Sequence, residues 1–147
     1  MPPATDAIGK IYPATVYAVG REKVREYAAA VGETSPLHFD LVAARDAGYA
    51  DVVAPPMFAV VYAGHSVVQG IFDPELGIDF AHLVHGGQAF SWGPLVVAGE
   101  EIETATTVKE ISARGELSFY VFESVSRNRS GETVCVGTWT NIVRSGG

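Results

Sequence analysis

The sequence predicts an α+β domain in which an antiparallel sheet wraps one central, buried helix. Three observations predict it. Helical patterns occupy residues 21–68, a period of two takes over across residues 81–143, and Met57 to Val68 is apolar almost all the way round. Helices followed by a run of strands belong to folds that pack helices against one side of an antiparallel sheet.

Each element follows from local chemistry. Val16-Tyr17-Ala18-Val19 is a short β-prone run ahead of Gly20 and reads as a first strand. In Arg21 to Val31 the apolar Val24, Tyr27, Ala28 and Val31 recur at helical spacing. Arg21, Glu22, Lys23, Arg25 and Glu26 take the opposite face, and Gly32 ends the helix. Glu33 to His38 is a turn, because Pro36 pushes Ser35 out of the α region. Leu41 to Ala47 forms a short helix capped by Asp40 and stopped by Gly48. Asp51 to Ala54 is extended, and Pro55-Pro56 opens the apolar helix, since proline is tolerated in a first turn. A helix with so little polar surface is expected to be buried on most sides, with His65 a core or interface histidine. Gly64 and Gly70 are expected to permit close packing or to end that helix. Ala81 to Trp92, Gly99 to Ile111, Leu117 to Arg127 and Thr133 to Val143 read as consecutive antiparallel strands. Turns at Ala113-Arg114-Gly115 and Arg129-Ser130-Gly131-Glu132 separate the last three. One sheet around one helix leaves edges and a face open, so two copies are expected to pair.

The 147 residues suit a single domain spanning 1–147. A net charge of −7 without any Lys/Arg run argues against nucleic acid or an anionic membrane as partner. The N-terminus, Met1-Pro2-Pro3-Ala4-Thr5-Asp6, lacks the basic and apolar regions of a secretory signal, and a cytoplasmic protein is expected. The single cysteine, Cys135, excludes an internal disulfide and reads as a buried strand residue. His82 and His85 stand three apart, which in a strand sends them to opposite faces, so no metal site is expected. No cofactor is implied.

One constellation carries chemistry. Gly32-Glu33-Thr34-Ser35-Pro36-Leu37-His38 sets a carboxylate and an imidazole five residues apart across a proline-stiffened turn. Removing a weakly acidic proton next to a thioester while protonating a departing hydroxyl calls for such an acid/base pair, with hydrogen-bond donors on the thioester oxygen.

The same stretch resembles the hydratase-2 signature of MaoC-like proteins, Gly-Asp-x-Asn-Pro-Leu-His. Glu33 stands for the Asp and Ser35 for the Asn. The segments 21–27, 51–58, 84–90 and 94–100 are similar to the N-terminal, FAS1-like dehydratase subgroup of that family. The resemblance implies a hot-dog fold, meaning a sheet rolled around a central helix, and no metal. It also implies hydration or dehydration of acyl-CoA or acyl-carrier-protein thioesters, interconverting (R)-3-hydroxyacyl and trans-2-enoyl forms. Carried over, Glu33 and His38 are the catalytic pair, meeting at a tunnel beside the Met57–Val68 helix. Met57, Ser35, Pro56, Tyr62, His85 and Gly86 are the oxyanion and substrate-binding candidates. Active hydratases of the family show His-Gly-Met-Leu where this chain has Pro55-Pro56-Met57-Phe58. Pro56 has no N–H to donate, which leaves the N–H of Met57 as the donor. Arg21, Lys23, Arg25, Arg127 and Arg129 are the basic groups able to meet CoA phosphates or an acidic carrier. Two further functions fit the resemblance: a non-catalytic acyl-binding subunit of a heterodimer, and a hot-dog thioesterase. The expected partner chain is a second copy or a related subunit.

Overall fold

The computed structural model describes residues 4–145; Met1, Pro2 and Pro3, part of the stretch on which the expectation about a secretory signal rests, lie outside them, as do Gly146 and Gly147. The elements run β1 (Thr15–Ala18), α1 (Arg21–Ala30), α2 (Leu41–Asp46), α3 (Ala59–Ile71), β2 (Leu83–Trp92), β3 (Glu101–Arg114), β4 (Leu117–Arg127) and β5 (Thr133–Arg144). The strands form one antiparallel sheet in the order β1-β3-β4-β5-β2. This corrects the expectation of consecutive pairing. β3, β4 and β5 do follow one another, but β2 pairs with β5 at the far edge. The reason lies in residues 93–100, which bind elsewhere: Ala54 N donates to Val96 O (2.8 Å), Ala98 N to Val52 O (3.0 Å) and Gly99 N to Val19 O (2.8 Å). That segment crosses to the opposite edge instead of turning back along β2.

Residues ahead of β1, unassigned from sequence, also lie along the sheet. Gly9 N donates to Val108 O and Tyr12 N to Thr106 O. Lys10 and the Tyr12 hydroxyl both donate to Asp73 (2.7 Å each), fastening this segment to the chain beyond α3.

Helix α3 lies against the sheet's inner face and divides its faces unequally. Ala59, Tyr62, Ala63, Ser66, Val67 and Gly70 are buried. Met57, Val68 and Phe72 remain 46%, 41% and 61% exposed, and His65 is exposed as well, stacked on Tyr17 at 5.3 Å. The helix is thus not buried on most sides within one chain, and His65 is not a core residue. Apolar composition all round cannot report which face meets the sheet. The buried side also contains hydroxyls, each satisfied by another: Thr106 donates to Ser66 (2.7 Å), and Thr104 pairs with Ser126 (2.8 Å). In β4 the buried set is Tyr120, Phe122, Ser124 and Ser126, while Leu117, Phe119, Val121 and Val125 are only half-buried. Satisfied hydroxyls cost little when buried, so the more apolar parity does not have to face the helix.

Candidate active site

The turn after α1 is built by two devices. Gly32 takes a φ of +77°, and Glu33 N donates to Ala28 O (2.9 Å), closing the helix end in a way that fixes where Glu33 leaves it. Ser35 then caps a tight turn over Pro36–His38, its Oγ accepting from Leu37 N (3.4 Å). Asp40 caps α2, and the Arg25 guanidinium donates to Phe39 O (2.9 Å), tying the turn back to α1. Five residues apart in sequence, Glu33 and His38 come together: His38 Nε2 lies 3.8 Å from Glu33 Oε2, with the imidazole buried and the carboxylate exposed.

The other ring nitrogen sets the protonation geometry. His38 Nδ1 lies 2.6 Å from the Val53 carbonyl. A carbonyl only accepts, so Nδ1 carries the proton and donates. The neutral ring therefore presents a lone pair on Nε2, toward Glu33. The same backbone is held from the other direction, Val53 N donating to Leu37 O (2.8 Å). Arg21 grips Asp51 through two parallel hydrogen bonds (2.9 and 2.8 Å). That guanidinium holds the Asp51 carboxyl down to about 2, outweighing the opposing effect of burial. The extended 51–54 segment thus anchors the imidazole and runs straight into Pro55-Pro56-Met57.

The remaining sequence candidates fall into different places. Pro56 and Met57 sit on the tight turn Pro56–Phe58 that starts the central helix, where the first bond is Phe58 N to Pro55 O (2.8 Å) and Met57 N precedes α3 proper. Tyr62 is buried beside Cys135, and burial pushes its hydroxyl well above the ordinary range and the Cys135 thiol up to about 11. Tyr62 also lines a small cavity of about 40 Å³ with Pro55, Pro56, Trp92 and Leu95. His85 and Gly86 stand apart on β2. His85 lines a cleft of about 420 Å³ between α3 and the sheet, whose walls are Gly64, Val67, Val68, Leu83 and Trp139 among others. Gly86 sits in a bulge of β2, where a Cβ would come within 2.4 Å of Ile142 Cδ1, so its role is close packing. His82 lies on the turn Phe80–His82 ahead of β2 rather than in a strand, paired with Asp79 at 2.7 Å. Of the basic candidates, Arg21, Lys23, Arg25 and Arg129 are engaged by Asp51, Glu26, Glu22 and Glu101.

Sequence reasoning missed Gln88. It faces Trp139 across the β2–β5 ladder, and both amide atoms are sealed from solvent without a hydrogen-bond partner. A polar residue inside an alternating strand gave no signal, since parity alone does not reveal what stands opposite. It also missed the Val53 carbonyl, a backbone atom with no mark in the sequence.

A five-stranded antiparallel sheet rolled around one helix, with a Glu/His pair on a turn bonded to Val53 ahead of that helix, defines a hot-dog domain of the MaoC-like dehydratase type. The chain belongs to the FAS1-like dehydratase family, whose domain-region model matches residues 6–136. Among curated relatives it is 44% identical over 145 residues to a UPF0336 protein of Clavibacter michiganensis, covering 98% of this chain and 97% of that one. Among solved structures it is similar to the C-terminally truncated HadBC (3R-hydroxyacyl-ACP dehydratase) complex of Mycobacterium tuberculosis. There the TM-score is 0.81 and the identity 29%, over 95% of this chain and 98% of the matched chain. A MaoC-like dehydratase matches with a TM-score of 0.85 and 27% identity, over 97% of this chain and 43% of that one. No helix among the described residues is long and apolar enough to cross a membrane.

Proposed function

We propose that the protein interconverts (R)-3-hydroxyacyl and trans-2-enoyl thioesters, with Glu33 and His38 as the acid/base pair. The observation that carries this reading is the hydrogen bond from His38 Nδ1 to the Val53 carbonyl, which leaves Nε2 free beside Glu33. In dehydration the Nε2 lone pair of His38 takes the C2 proton while Glu33, in its protonated form, delivers its proton to the C3 hydroxyl, which leaves as water. The proton on His38 then passes back to Glu33 across their contact and restores the pair. This reading assigns to the Met57 N–H, at the start of the central helix, the stabilisation of the negative charge that builds on the thioester oxygen. The acyl chain then runs beside α3. The free edge of β2 fits pairing with a second copy or a related subunit.

Purified protein is expected to hydrate a trans-2-enoyl-CoA, and His38→Ala to lower kcat by at least about 100-fold. Equal rates for wild type and variant would remove the acid/base assignment. A second reading is favoured by the absence of a Pro56 N–H and by the likeness to the HadBC complex: an acyl-binding subunit that works only beside a catalytic partner. It predicts no turnover by the isolated chain and turnover once such a partner is co-expressed.

A further inference from the structure

Gly64 lies in the middle of α3, where glycine costs roughly 1 kcal/mol relative to alanine. Helix glycines are normally repaid by close packing, and Gly70 shows this: a Cβ there would come within 2.5 Å of the Phe122 ring. Gly64 has no such reason, since a Cβ would meet nothing within 4 Å. The space it leaves belongs to the 420 Å³ cleft that it lines with Val67, Val68, Ile71, Phe72 and Trp139. Phe72, at the C-terminal end of α3, and Phe80 also line the cleft, their ring centroids 5.2 Å apart.

The cleft is connected to the candidate oxyanion donor by one helix face. Met57, Val61, Gly64, Val68 and Phe72 follow one another at helical spacing, and none of them is buried. At 1.5 Å of rise per residue, Gly64 lies about 10 Å beyond Met57 and Phe72 about 22 Å. An extended chain advances roughly 1.2 Å per bond, so roughly nine bonds reach Gly64 and roughly nineteen reach Phe72.

We infer that Gly64 is a specificity-determining residue that admits long acyl chains, of about twelve to eighteen carbons, into this cleft, with the Phe72–Phe80 pair as its end stop. The inference rests on the thioester reading above and adds the class of acyl group. An acyl chain suits the site because the walls are nearly all apolar, and the cleft begins only where a chain of about ten carbons would end. Short chains leave it empty.

The test is calorimetric titration with saturated butyryl-, octanoyl- and palmitoyl-CoA, kept below their micelle concentrations. These thioesters can be neither hydrated nor dehydrated, so binding is read apart from Glu33 and His38. The same acyl series on a carrier protein separates the two possible handles. Wild type is expected to bind butyryl- and octanoyl-CoA similarly and to gain about two- to fourfold in affinity per methylene beyond ten carbons. Gly64→Leu, which also improves helix propensity, is expected to lose palmitoyl-CoA affinity at least tenfold with butyryl-CoA unchanged. Phe72→Ala is expected to extend the range of accepted chains. Equal affinity of wild type for all three thioesters, or undiminished palmitoyl-CoA binding by Gly64→Leu, would overturn the inference. So would a change in oligomeric state of Gly64→Leu on size-exclusion chromatography, which would mark Gly64 as a subunit contact. If the length dependence holds while His38→Ala still hydrates, the acid/base reading falls alone. If hydration needs His38 but chain length does not matter, the cleft assignment falls alone.

Discussion

The two faces of the central helix are built from the same kinds of residue and do opposite things. On the inner face Tyr62, Ala63, Ser66, Val67 and Gly70 are buried against the sheet, down to a glycine that exists because Phe122 occupies the space a side chain would need. On the outer face Val61, Gly64, Val68 and Phe72 are partly or fully open, and the glycine there faces empty space. The inner face explains why the domain holds together. Apart from Val61, which packs against the core, the outer face contributes little to the isolated fold and is therefore available to a ligand.

The same substitution on the two faces gives the sharpest test. Gly70→Ala is expected to destabilise by about 2 kcal/mol, because the fully buried Phe122 ring has nowhere to move. Denaturant titration measures it, and a neutral result would mean the inner face is looser than its burial indicates. A smaller effect is expected at the approach to the helix, where Arg21 grips Asp51. Asp51→Asn is expected to cost roughly 1 kcal/mol at neutral pH, reduced by solvent screening of a pair at the surface. Because the folded pKa is depressed to about 2, that stability is present above pH 4 and is lost as pH falls toward 2. The wild-type and Asp51→Asn stability curves should therefore converge in acid, and a constant gap would assign the effect to packing. The smallest effect has the opposite sign. Gly64→Ala should raise stability by about 0.5–1 kcal/mol through helix propensity alone, and a loss would show that the outer face is packed after all.

Much of the candidate site was legible before any coordinates. The residues of the turn, its glycine stop and its proline carried both the geometry and the family resemblance. Glu33 and His38 are close in space because the chain between them is short and capped. The hydrogen bond that orients His38 was invisible, since its acceptor is the carbonyl of Val53, fifteen residues further on. The same holds for Arg21, which sequence leaves as one of several surface charges and which folding places against Asp51.

The sequence by itself determined the main helices and strands and their order, the ends of the first two helices, and the short turn that brings Glu33 to His38, because these depend on neighbours a few residues apart. The central helix, expected over Met57–Val68, runs Ala59–Ile71. Tertiary structure decided that β2 crosses to β5, that Phe122 rather than Val121 faces inward, that His65 points outward, and that Gly64 and Gly70 differ. The physical reason is common to all four. Periodicity states that a strand or helix has two sides, but which side meets the core depends on what distant segments bring to it.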